Sequence, residues 1–191
     1  MERSAQLLKT VEAVREARLP RWAELPDLAL YMDQVIVLMG QYLGGIVSGE
    51  EKLLTPSMVN NYVKLGLMPP PVKKKYGREQ LADLIMICVM KQVIPISITR
   101  ELIRTSLEEL SPQQLYDTFC DYYDIAAGEA LESLDRRTDI IESTGRAGLN
   151  LLAASCAIRS QLELRLAEDL GRAEETKPAK EKGQKEKNKE K

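Results

Sequence analysis

Three consecutive prolines, Pro69-Pro70-Pro71, stand between two helically patterned stretches and constrain this chain more than any other feature. Proline has no amide hydrogen and pushes the residue before it out of the helical region, so no helix crosses this point. Upstream, Thr55-Pro56 opens a short helix, because threonine is a good N-cap and proline suits the first helical position. That helix runs through Met58, Val59, Tyr62 and Leu65 and is expected to stop at Gly66. Leu67 to Lys75 is then an extended loop or a small ribbon. Helix resumes near Arg78, and Leu84 to Met90 is apolar almost all round, which marks the expected central buried helix.

The same patterning extends to the rest of the chain. Ser4 to Arg18 reads as an amphipathic helix with Leu7, Leu8, Val11 and Val14 on one side. Pro20 and Pro26 bracket a connection that carries the only tryptophan, Trp22. A helix is predicted from Asp27, as its cap, to Leu43, ended by Gly44-Gly45. Pro95 precedes a helix over Ile96 to Glu109. Ser111-Pro112 caps another from Gln113 to about Leu134, with Tyr116, Phe119, Cys120, Tyr123, Ala127 and Leu131 as its core stripe. The last helix spans about Ile141 to Leu170. From Ala173 onward 12 of 19 residues are charged and none is aromatic, so a disordered tail is expected. The fold class is all-α.

Composition removes several kinds of chemistry. Histidine is absent, which takes away the commonest general base and zinc nitrogen ligand and every Ser-His or Cys-His pair. Cys88, Cys120 and Cys156 match no zinc spacing, each lies in an apolar helical pattern, and buried thiols in a reducing compartment are expected. No phosphate-cradling glycine motif is present. The expected protein is not an enzyme and takes no metal or cofactor. No stretch has signal-peptide or membrane-spanning character, so a cytoplasmic protein without a membrane partner is expected.

Charge is unevenly placed along a nearly neutral chain of net charge −2. From Lys52 to Arg78 six residues are basic (Lys52, Lys64, Lys73, Lys74, Lys75, Arg78) and none is acidic. From Glu101 to Glu142, 3 basic against 11 acidic residues leave 3 − 11 = −8. Such a layout orients a protein toward a polyanion. Ser57, Asn60 or Asn61, and Lys64 fall on one face of the short helix. Asparagine can take adenine by two hydrogen bonds, and serine and lysine can hold phosphate or guanine. On charge alone, a solvated helix with a lysine-rich loop explains the segment equally well.

The run LTPSMVNNYVKLGLMPPPVKKKYGREQLADLIMICVMKQVIPIS resembles the bacterial family known as domain of unknown function 1836, over about residues 20 to 110. That family is in turn similar, over some fifty residues, to the MerR-type winged helix-turn-helix. Val59, Tyr62, Leu65, Gly66 and Leu67 match the recognition helix and its stop. Pro69, the lysines, Tyr76 and Leu81 match the wing and the helix after it. Asn60-Asn61 stands where MerR-type domains usually carry Arg-Tyr, and the wing is shorter. The resemblance implies a MerR-like winged helix-turn-helix core with additional C-terminal helices. It divides the chain into an N-terminal helix (1–19), a helix-turn-helix-like domain (20–110), a C-terminal helical region (111–172) and the tail (173–191).

The function expected is transcription regulation by binding double-stranded DNA through Ser57, Asn60, Asn61, Lys64, Lys73, Lys74, Lys75, Tyr76 and Arg78. A homodimer and an unidentified effector are the other expected partners. The alternative is a protein-interaction module that keeps the fold without touching DNA. Asp117, Asp121 and Asp124 share one helix face, which a hard cation would suit, but a solvated face is expected. Gly145, Ala147, Gly148, Ala153, Ala154, Ser155 and Ala157 make the last helix small-sided, open to close packing within the chain or across a dimer axis.

Overall fold

The computed structural model describes residues 11–12, 14–47, 53–137 and 143–175. Lys52, most of the predicted N-terminal helix and the charged tail beyond residue 175 lie outside the described residues. Residues 11, 12 and 14–16 are helical. After a single 3-10 turn at Trp22–Glu24 the helices are α1 (Met32–Leu43), α2 (Pro56–Lys64), α3 (Arg78–Met90), α4 (Ile96–Ser106), α5 (Pro112–Asp135) and α6 (Arg146–Glu175). Two isolated antiparallel bridges are the extended pairings among the described residues, so the fold is all-α.

The caps are local and explain the boundaries. Thr55 Oγ1 accepts from the Met58 amide at 3.2 Å, with Pro56 at the first helical position. Gly66, at φ +70°, ends α2: its amide reaches the Val63 carbonyl at 3.1 Å and the Leu67 amide reaches Tyr62 at 3.0 Å. This double closure satisfies the last carbonyls and buries Leu67 behind the helix. Ser111 and Gln114 cap α5 reciprocally, each side chain accepting from the other's amide at 3.2 and 3.0 Å.

α1 begins later than its sequence suggests. Asp27 to Leu30 is not helical, because Leu30 exchanges both backbone hydrogen bonds with Tyr76 at 2.8 Å. The helix starts after Tyr31, whose amide donates to Gln34 Oε1 at 2.9 Å. Leu28, expected on the helix, is 80% exposed. The last helix is likewise interrupted at Gly145, which has φ +57°. Glycine adopts such a φ without steric cost, so Ser143 and Thr144 are helical before the break and the long helix runs from Arg146, while the expected start near Ile141 lies outside the described residues.

The core is organised around α3. Every residue from Gln80 to Cys88 is buried, and α3 packs against α1 and α4. α1 contributes Val35, Met39 and Leu43 at helical spacing, α2 contributes Val59 and Tyr62, and α5 contributes Tyr116 and Cys120.

The chain divides into two compact units, Met1–Leu134 and Asp135–Lys191. Within the first unit α5 holds the segment before α1. The Tyr116 hydroxyl donates to the buried Pro20 carbonyl at 2.6 Å, and Trp22 lies 6.3 Å from the Tyr116 ring. Arg21 reaches Asp121 at 2.5 Å and Asp124 at 2.7 Å, while the Trp22 amide donates to Asp117 at 2.9 Å. The three aspartates lie on a largely solvent-exposed face, as expected, and there they also clasp Arg21 and Trp22. No group of metal-ligating side chains occurs among the described residues.

Candidate nucleic-acid interface

Helix α2 is two-faced. Val59 and Tyr62 are buried and Met58 and Val63 are half-buried, while Ser57, Asn60, Asn61 and Lys64 are all exposed. Burial also pushes the Tyr62 phenol up to about 12, which keeps it neutral. Leu65, the last apolar residue of the helical pattern, is 40% exposed because it already belongs to the turn that leaves the helix. The polar face is thus presented by an amphipathic register that anchors the opposite side in the core.

The triple proline leads into a ribbon of minimal size. Val72 and Lys75 exchange both backbone hydrogen bonds, at 3.0 and 2.9 Å, so Lys73 and Lys74 form a two-residue turn. Their φ values are +50° and +63°. Positive φ at both central residues is the tight hairpin geometry that normally selects Asn-Gly. Here two lysines occupy it, at roughly 1 kcal/mol or more of backbone strain each. Gln80 ties this ribbon to α3: its Oε1 accepts from the Gly77 amide at 2.8 Å and its Nε2 donates to the Pro70 carbonyl at 3.4 Å.

The nine residues named from the sequence fall into two groups. Ser57, Asn60, Asn61, Lys64, Lys73 and Lys74 are exposed, and none of these three lysines makes an ion pair among the described residues. Lys75, Tyr76 and Arg78 hold the ribbon in place. The Lys75 ammonium lies 4.9 Å from the centre of the Tyr31 ring, a cation–π contact. Tyr76 is only 3% exposed, and burial raises its phenol above the ordinary value. Arg78 is half-buried and pairs with Asp27 at 3.2 Å, with a buried Nε that has no hydrogen-bond partner among the described residues. Tyr76 is therefore a core side chain and offers only its backbone to the ribbon.

Two partners were invisible in sequence. Tyr31 and Asp27 meet the ribbon from more than forty residues away, and no local pattern announces them. Arg100 of α4 reaches the Leu65 carbonyl at 3.5 Å, just past the end of α2.

Reactive groups elsewhere are quiet. Burial pushes the Cys88 and Cys120 thiols up to about 11, away from the thiolate form. Cys156 is exposed, contrary to the buried position expected for it, because α6 presents its side to solvent there. Asp83 is buried on α3, and burial with nearby Glu79 pushes its carboxyl up to about 7.

A family profile described as "Domain of unknown function (DUF1836)" matches residues 20–119, from the Arg21 clasp through Tyr116. No curated protein and no solved structure matches the chain.

Proposed function

Since the chain belongs to the DUF1836 family, whose matched span contains the whole helix–hairpin segment, we propose that this segment binds double-stranded DNA. The protein then acts as a transcription regulator of MerR-like winged helix-turn-helix type. In that reading α1 and α2 are the helix-turn-helix, the polar face of α2 enters the major groove and the Lys73-Lys74 hairpin is the wing. It is a binding protein and not an enzyme, and its place is the cytoplasm.

One observation carries the reading. Cationic and amide side chains on α2 and at the hairpin tip are exposed, while the apolar side of α2 and Tyr76 anchor the segment in the core. A rigidly backed row of unneutralised donors is what phosphate and base-edge contacts require. The departure from the MerR pattern at Asn60-Asn61 replaces a phosphate contact by two amides, which favours base reading over backbone grip.

The regulator is proposed to work as a homodimer through α6. Leu151, Ile158, Leu162 and Leu166 recur at helical spacing on α6 and are 69%, 61%, 54% and 64% exposed. A second copy of the same stripe covers them, and two-fold symmetry gives the two half-sites that such readers use.

The test is fluorescence anisotropy on duplexes selected from a random pool, with wild type and Lys73→Asn/Lys74→Gly. The variant keeps the turn geometry and removes two charges. Wild-type affinity should fall steeply with salt, and the variant should bind at least about tenfold more weakly with a salt slope reduced by about 2. Equal affinity and slope for both proteins would overturn the reading. Co-purification of a protein partner, with no selectable DNA, would assign the surface to protein docking instead.

A further inference from the structure

Five arginines lie between Arg18 and Leu134, and four of them are spoken for. Arg18 is paired with Glu24, Arg21 with Asp121 and Asp124, Arg78 with Asp27, and Arg104 with Glu101 and Glu108. Arg100 makes no ion pair among the described residues. The carboxylate next to it in sequence, Glu101, is committed to Arg104 by contacts of 2.5 and 3.2 Å. Arg100 is exposed, and an Nη donates a long hydrogen bond to the Leu65 carbonyl at 3.5 Å.

That contact fixes where the charge is held. Leu65 is the C-cap of α2, one residue beyond Lys64. A guanidinium has five donors in a planar fork, so the bond to Leu65 leaves donors free for a second acceptor. The carbonyl end of a helix also favours a cation, which keeps Arg100 at this spot in the absence of a ligand. A phosphate oxygen is the acceptor that a fork suits best, and it supplies the direct ion pair that Glu101, bonded to Arg104 and felt by Arg100 only at longer range, does not.

We infer that Arg100, brought from α4 to the C-terminal end of α2, is a phosphate clamp that extends the DNA-contacting surface beyond Lys64. The inference rests on the DNA-binding reading above and adds a third element, α4, to the helix and hairpin. Arg100 binds the sugar-phosphate backbone without reading sequence, so it contributes affinity and register and no base preference.

The experiment uses the full chain and the selected duplex, with anisotropy titrations over a salt series for wild type, Arg100→Gln, Arg100→Lys and Arg104→Gln. Arg100→Gln should weaken binding about 3- to 10-fold and lower the salt slope by about 1, with the order of preferred sequences unchanged. Arg100→Lys should keep the wild-type slope, and Arg104→Gln should match wild type in both quantities. An Arg100→Gln protein with wild-type affinity and slope, while Lys73→Asn/Lys74→Gly weakens binding, overturns the clamp and leaves the DNA-binding reading standing. Weaker binding at an unchanged slope also overturns it, since that marks a structural effect on the end of α2. A wild-type chain that selects no duplex from the pool overturns both.

Discussion

Asp83 is the residue whose chemistry most affects stability. It is buried on α3 with Glu79 one turn before it, and its carboxyl is pushed up to about 7 against an ordinary 3.8. In the folded chain it therefore keeps a proton that the unfolded chain releases near pH 4. The native state binds more protons across that window, so stability falls as pH rises from about 4 to about 7 and stays reduced above it. The total loss is up to roughly 4 kcal/mol. Asp83→Asn should be more stable than wild type at pH 8, with the advantage shrinking toward pH 4, in urea titrations at the two pH values. An unchanged midpoint at pH 8 would contradict the account. The hairpin tip gives a second residue-scale prediction. Lys73→Asn/Lys74→Gly relieves two left-handed lysines and should raise stability by about 1 kcal/mol while binding weakens. Opposite signs in stability and affinity would separate strain from function.

At the scale of elements, Gln80 joins the polyproline segment, the ribbon and α3. It caps the Gly77 amide and holds the Pro70 carbonyl, although it is 9% exposed. Gln80→Ala leaves both backbone groups without that partner, and should destabilise the chain by about 1–2 kcal/mol. Hydrogen exchange should then quicken at the amides of Gly77 and of Leu30, which leans on Tyr76; unchanged protection at both would refute this role. Sequence disclosed what is local in this unit. Thr55, Pro56, Gly66, Ser111 and Pro112 act on neighbours within a few residues, and α2, the ribbon after the prolines and α5 were accordingly legible. The polar face of α2 was legible for the same reason, since helical period alone sorts Ser57 and Lys64 from Val59 and Tyr62. The start of α1 was not, because Leu30 is claimed by Tyr76 and no helix-cap rule sees that pairing. Nor was the use of Asp117, Asp121 and Asp124, whose partner Arg21 is about a hundred residues away. Arg78 read as a free cation for the same reason: Asp27 is distant in sequence.

At the scale of the molecule, the two units carry different tasks in the proposed regulator. Ile158→Glu/Leu162→Glu places charge in the exposed stripe of α6, and sedimentation equilibrium should show a dimer for wild type and a monomer for the variant at unchanged helix content. A monomeric wild type would remove the dimer from the proposal and leave the DNA-binding surface of the other unit to be judged by its own titrations. The larger unit is closed by the contact of Pro20 with Tyr116, at 2.6 Å between hydroxyl and carbonyl. A closure of that span has a consequence for biosynthesis. Nearly a hundred residues must leave the ribosome before Pro20 meets its partner, which at common translation speeds takes about 5–20 s. Through that interval Leu19 and Leu25, buried in the folded unit, are held by a chain that still lacks the Tyr116 contacts to Pro20 and Trp22. The arrival of α5 is thus the step at which the nascent unit first becomes safe from sticking to its neighbours.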